Sequence, residues 1–176
     1  MKATTVFALG MMLTGGLTAP ALAQSENSRE SQAKMIEYQK KVLVAMVDSM
    51  PERLFRDKAT PEQRDFAQQI AHAAGAAGYI VGNVLKGPKA PPADTATTLN
   101  SRAALRRYVI AAFDNGAAHL KAQNAAARAE TVDLFGSKMP AWQVWDEIYT
   151  HTVWTAGQVV ANFRKNGMAP PAFSFF

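Results

Sequence analysis

Between Trp142 and Pro171, apolar residues recur at helical spacing. At about 100° per residue, Trp142, Trp145, Ile148, Tyr149, Thr152, Val153, Ala156, Val159, Val160 and Phe163 fill one broad arc. A second stripe runs beside it and carries Glu147, His151, Trp154, Thr155, Gln158 and Asn162, so an imidazole sits among hydrogen-bonding groups and not among lysines. Asn166-Gly167 and then Pro170-Pro171 stop this helix. Three earlier segments share the period. One spans about Ser31 to Met50, with Met35, Tyr38, Val42, Ala45 and Met46 on its apolar face, and Pro51 closes it.

The next spans about Pro61 to Leu85, with Thr60 as the expected N-cap and proline at the first helical position. Phe66, Ile70, Ala77, Ile80, Val81 and Val84 share its core face. Gln69, His72, Ala76, Tyr79 and Asn83 form a flanking stripe, so His72 repeats the setting of His151. Gly75 and Gly78 sit among alanines and predict a thin waist where a neighbouring helix approaches closely. The segment from Lys86 to Asp94 is a breaker-rich linker. A further helix is expected from about Asn100 to Ala127, with Leu105, Tyr108, Val109, Ala112, Gly116 and Leu120 on one face and His119 at its edge. Residues 131–137 read as a short extended segment ending in a glycine turn. The pattern predicts an all-α antiparallel four-helix bundle with a long crossover between its second and third helices.

The first residues change what belongs to that fold. Met1-Lys2, an apolar run and Ala21-Leu22-Ala23 describe a secretory signal peptide over residues 1–23, cleaved after Ala23. The expected mature chain, residues 24–176, is a single domain in the periplasm with no membrane span, and Gln24 to Arg29 are expected to fray. With no cysteine in the chain, packing and not disulfides must stabilise it. The formal charge of +5 is scattered among acidic residues and reads as a solvated surface; nucleic acid is not expected as a partner. The chain carries no phosphate-binding glycine loop, paired CxxC, HExxH or GxSxG.

The order of motifs resembles the DinB-like (DinB/YfiT) family. The residues that carry the likeness are Ser49-Met50-Pro51-Glu52, an Arg-x-x-x-Thr-Pro-Glu connector, and the run from Phe66 to Ala74. Asp133-Leu134-Phe135-Gly136, His151 with Gly157-Gln158-Val159-Val160, and Asn166-Gly167-Met168-Ala169-Pro170-Pro171 complete it. The resemblance implies a four-helix bundle, often a homodimer, with a divalent-metal site (zinc, nickel or manganese) built from one histidine on the second helix and a His-x-x-x-His pair on the fourth. His72 and His151 match two of these positions, and the third falls on Thr155.

A threonine hydroxyl is a poor ligand for a transition metal, and an open catalytic site typically uses three protein ligands plus water. Glu147, one turn before His151, and His119 are the candidate substitutes, and a two-histidine, one-carboxylate set is chemically sound. Tyr79 and Trp154 are candidate pocket walls beside a small-molecule ligand, with a dimer interface as the other reading of Trp154. The chemistry implied is metal-dependent hydrolysis or transfer, with Glu147 or Gln158 positioning the nucleophile; an oxidising compartment favours hydrolysis over thiol transfer. The alternative is a non-catalytic, homodimeric binding or interaction module without metal, in which the two histidines are hydrogen-bonded within the bundle. Gln158 beside Gly157 reads either as a contact between helices or as a group orienting a ligand or ring. Trp142, Trp145, Tyr149 and Phe163 are expected in the core, and the apolar tail from Pro170 to Phe176 is expected to pack on the bundle or on a partner subunit.

Overall fold

The computed structural model describes residues 19–90 and 95–172. Most of the expected signal peptide, the end of the linker and the last four residues lie outside them. The fold is all-α, accompanied by one two-stranded ribbon. Its elements are α1 (Ala19–Ser49), a short 3-10 turn (Glu52–Leu54), α2 (Phe66–Asn83), α3 (Thr95–Asn100), α4 (Arg102–Ala122), α5 (Ala125–Ala129), β1 (Thr131–Leu134), β2 (Ser137–Pro140) and α6 (Ala141–Lys165).

Several boundaries differ from the expected ones, each for a local reason. Helix α1 begins at Ala19, so the segment from Gln24 to Arg29 is helical and not frayed; the alanine-rich start has high helix propensity. Helix α2 begins at Phe66, and not at Pro61, because Asp65 is a better cap than Thr60. Its carboxylate accepts from the Gln68 backbone N–H while the Gln68 side chain accepts from the Asp65 N–H, a capping box. Thr60 instead closes a turn with Gln63. The third long helix stops at Ala122, where Gln123 turns extended; Asn124 then caps the separate helix α5. The extended segment expected at 131–137 is the first half of a hairpin, in which Thr131 pairs with Pro140 and Leu134 with Ser137.

The four long helices pack in pairs whose directions follow from their contacts. Lys40 meets Asp114 and Asp48 meets Arg106, so α1 and α4 run antiparallel. Phe66 meets Phe163, Gln69 meets Gln158 and His72 meets His151, so α2 and α6 also run antiparallel. Helices α2 and α4 run parallel, with Gly75 against Tyr108, Gly78 near Ala112 and Val81 beside Gly116. This is the direction that the expected long crossover between the second and third long helices imposes, and α4 starts at the end of the molecule where α2 began. That crossover also uses the α2 glycines. A Cβ on Gly78 would stand 2.4 Å from Ala90 Cβ, and one on Gly82 would stand 3.0 Å from Lys89 Cα. The thin waist therefore seats the linker as well as α4.

The core is built on Leu43, Val47, Met50, Phe55, Phe66, Ile70, Leu105, Val109 and Phe163, all fully buried. On α1 the buried face is Gln32, Ile36, Gln39, Leu43, Met46 and Val47, with Met50 buried just past its end, rotated from the expected one. The expected Tyr38, Val42 and Ala45 line a groove of about 260 Å³ against Tyr149, Val160 and Ala172 of the C-terminal part. The buried face carries its own apolar stripe of Ile36, Leu43, Met46 and Val47, and polar contacts fix Gln32 at its start. Fully buried Arg128 of α5 donates to Ser28 and Gln32, and Gln32 in turn donates to Asp146 Oδ1 and the Trp142 carbonyl of α6. A charged group buried this deeply needs such partners, and they draw the glutamine inward. On α6, Trp145 and Phe163 are in the core as expected, whereas Trp142 is 38% exposed and Tyr149 is only half-buried. Thr155 and Asn162, expected on the flanking stripe, are buried.

Candidate functional site

Two stripes on separate helices meet at the seam between α2 and α6. His72, two turns from the Asp65 cap, and His151, in the middle of α6, bring their rings edge to face at a centroid distance of 5.2 Å and an interplanar angle of 71°. Both rings are half-buried, and among the described residues neither has a hydrogen-bond partner. Burial pushes both imidazoles below the ordinary histidine pKa. The nearby Arg64 charge adds to this for each ring, and the His151 charge adds further for His72. Both are therefore neutral at pH 7, the form whose nitrogen lone pair can bind a metal or accept a proton.

The connector that carries Arg64 is held to the far end of α6. Asp57 accepts from Lys165 Nζ at 2.7 Å and Asn166 Nδ2 at 2.8 Å, and its backbone carbonyl accepts from Asn162 Nδ2 at 2.9 Å. The Lys165 hydrogen bond is the largest of the effects that hold the Asp57 carboxyl below its usual range. Beside the histidines, Gln69 Nε2 donates to Gln158 Oε1 at 3.0 Å, closing the seam one turn from His72. Gln158 is thus an interhelical contact, and its amide oxygen is engaged. Gly157 takes no part in that contact, because a Cβ there would have nothing within 4 Å.

The other candidate residues are placed as follows. Thr155, one turn after His151, is 2% exposed, and Glu147, one turn before it, is half-buried. Among the described residues no group of three or more His, Cys, Asp or Glu side chains comes together to hold a metal. His119 lies elsewhere, with its Nε2 2.9 Å from the Leu85 carbonyl and its ring 6.2 Å from that of Trp145. Its neighbour Val81 is nine residues from His72 on α2, about 13 Å along the axis. Trp154 is 75% exposed.

Tyr79, two turns from His72 on the same stripe, is exposed and stacks on Phe135 at 6.2 Å and 14°. Phe135 stands at the hairpin tip with φ +53°, a left-handed conformation that phenylalanine rarely adopts. Periodicity gave no sign of this stack, but the Phe135-Gly136 pair at a hairpin tip is a turn signal. No family model matches the chain, and no curated protein matches it.

The donor chemistry can be tested against a divalent ion. Ligand nitrogens sit about 2.0–2.1 Å from zinc, and an imidazole nitrogen lies little more than an ångström from its ring centre. Rings whose centres are 5.2 Å apart can therefore both turn a nitrogen toward one ion. They supply two nitrogens, and among the described residues no third His, Cys, Asp or Glu side chain joins them.

Proposed function

We propose that the chain is a DinB-like four-helix-bundle protein, exported to the periplasm, that binds a small molecule at the α2–α6 seam together with a weakly held divalent ion. The observation that carries this reading is the contact of His72 with His151, two neutral imidazoles from different helices with free nitrogens. His72 and His151 would hold the ion, and no other histidine or acidic side chain among the described residues joins them. When bound, such an ion supplies Lewis acidity and lowers the pKa of water, which suits a hydrolase or transferase acting on a small electrophile.

The chain's own groups bring three properties to that chemistry. The Arg64 charge favours an electron-rich group near the rings. The Gln69–Gln158 pair holds the helices together beside them, and Glu147 is the nearest acid in sequence on α6.

Equilibrium dialysis of the purified protein with zinc tests the reading. We expect weak zinc binding that is lost in His72→Ala and in His151→Ala. Thr155→His, which would place a third nitrogen one turn after His151, should tighten it. Zinc binding unaffected by either alanine variant overturns the assignment.

A second reading is favoured by a separate observation. Val153 and Trp154 are exposed side by side on α6, at 44% and 75%, which suits a non-catalytic homodimeric module. A dimer in sedimentation that Trp154→Lys converts to monomer, with no zinc bound by the wild type, would favour that reading over the first.

A further inference from the structure

At the end of the molecule where α2 and α4 stop, a cavity of about 260 Å³ lies between their last turns, α5 and β1. Its walls are largely apolar, formed in part by Val84, Ala127 and Val132. Lys86, His119, Gln123, Asn124 and Glu130 interrupt that lining, and the two least exposed of them, Gln123 and His119, are each fixed so that one function is already satisfied. Gln123, 6% exposed, accepts the Trp145 indole N–H on its Oε1 at 2.9 Å. Its Nε2 donors have no partner among the described residues.

His119 contacts the Leu85 carbonyl through Nε2 at 2.9 Å. A carbonyl only accepts, so Nε2 carries the proton and Nδ1 of the neutral ring carries the lone pair. Gly87 locks that ring, since a Cβ there would stand 2.7 Å from His119 Cγ. At the solvent side, Lys86 is paired with Glu130. Lys86 holds φ +59°, a conformation normally left to glycine, and the pairing carries its ammonium across to Glu130.

We infer that this cavity is a second binding site, distinct from the histidine seam, for a small uncharged molecule with an N–H donor next to a carbonyl, as in a primary carboxamide or a lactam. The carbonyl meets the Gln123 amide donors and the N–H meets His119 Nδ1. A net charge is disfavoured, because the walls are apolar and Lys86 and Glu130 neutralise one another. Complementary donors and acceptors in an apolar pocket fix orientation, which is how small-molecule sites obtain specificity.

The test is an NMR titration of the full chain with 2-pyrrolidone, and in parallel with N-methyl-2-pyrrolidone, which keeps the carbonyl and blocks the donor. We expect saturable shifts of the Gln123 side-chain amide and the His119 ring, with the methylated lactam about tenfold weaker, the worth of one hydrogen bond. Gln123→Met should weaken 2-pyrrolidone similarly. Ala127→Leu, which fills the cavity and leaves both polar partners in place, should abolish binding in a chain whose spectrum stays folded. Equal affinity for the two lactams, shifts absent from Gln123 and His119, or undiminished binding in Ala127→Leu would each overturn the proposal. Zinc binding at His72 and His151 is read separately and should not change in any of these variants.

Discussion

His72 and His151 on one side and His119 on the other are the same residue type at the edges of long helices, yet their surroundings differ. The Leu85 carbonyl holds one nitrogen of His119, and Gly87 and Trp145 confine its ring. The seam pair has no such anchor among the described residues; each ring faces the other, and burial first and then the Arg64 charge disfavour protonation of both. A locked ring presents one defined lone pair, which suits recognition of a fixed donor. A free pair can reorient around an incoming ion or proton. The backbone packed against a histidine decides its chemistry more than its place on a helical wheel.

The sharpest way to break the contrast is to disturb the lock. Gly87→Ala introduces a Cβ 2.7 Å and 2.8 Å from His119 ring atoms and 2.8 Å from Val81 Cγ1, distances that no real Cβ tolerates. Overpacking of this kind costs about 1–3 kcal/mol. A lower urea midpoint together with a displaced His119 ring signal is expected, while the His72 and His151 signals stay in place. An unchanged midpoint would show that the ring is not confined. The seam helix supplies the opposite case. Gly157 lies inside α6 with open space around it, so Gly157→Ala should raise stability by roughly 0.5–1 kcal/mol in the same measurement. A loss there would mean that the backbone at this point must bend.

The legible parts of this chain were those where an apolar period met nothing stronger. Phe66, Ile70, Ala77, Ile80 and Val81 of α2 and the five residues Leu105, Val109, Ala112, Gly116 and Leu120 of α4 are buried as their spacing predicts, whereas Val84 lies past the end of α2 and is half-buried. The stripes around His72 and His151 do face each other. Elsewhere polar partners act alongside the period. On α1 the apolar residues Ile36, Leu43, Met46 and Val47 form the buried face, and fully buried Arg128 holds Gln32 on that same side. Asp57 takes Asn162 and Lys165, so the end of α6 is organised by a connector residue that no periodicity marks. The Asp65 capping box was readable as Asp-x-x-Gln before an apolar run, but Thr60-Pro61 offered a competing start five residues earlier. The His119 cavity was not legible at all. It depends on where a crossover returns and on which amide oxygen an indole takes, and both are properties of contacts far apart in sequence.

The smallest effect we expect is a pH dependence of stability set by the seam pair in metal-free protein. Burial first, and then the Arg64 charge, lower both folded pKa values from the unfolded value of 6.5. Above 6.5 the rings are neutral in both states and the stability is present in full. As the pH falls from there, the unfolded chain takes up protons first, so stability is lost through the window between 6.5 and the lower folded values and levels off below them. Because each ring is half-exposed, solvent screens the effect and the loss is modest. Urea midpoints between pH 7.5 and 5 in the presence of a chelator should decline, and the His72→Gln, His151→Gln double variant should flatten that decline. His119→Gln gives the matching control, since its ring belongs to the other site. If the double variant declines as steeply as wild type, the seam rings are not the groups that titrate, and what sets this pair apart from His119 would be geometry alone.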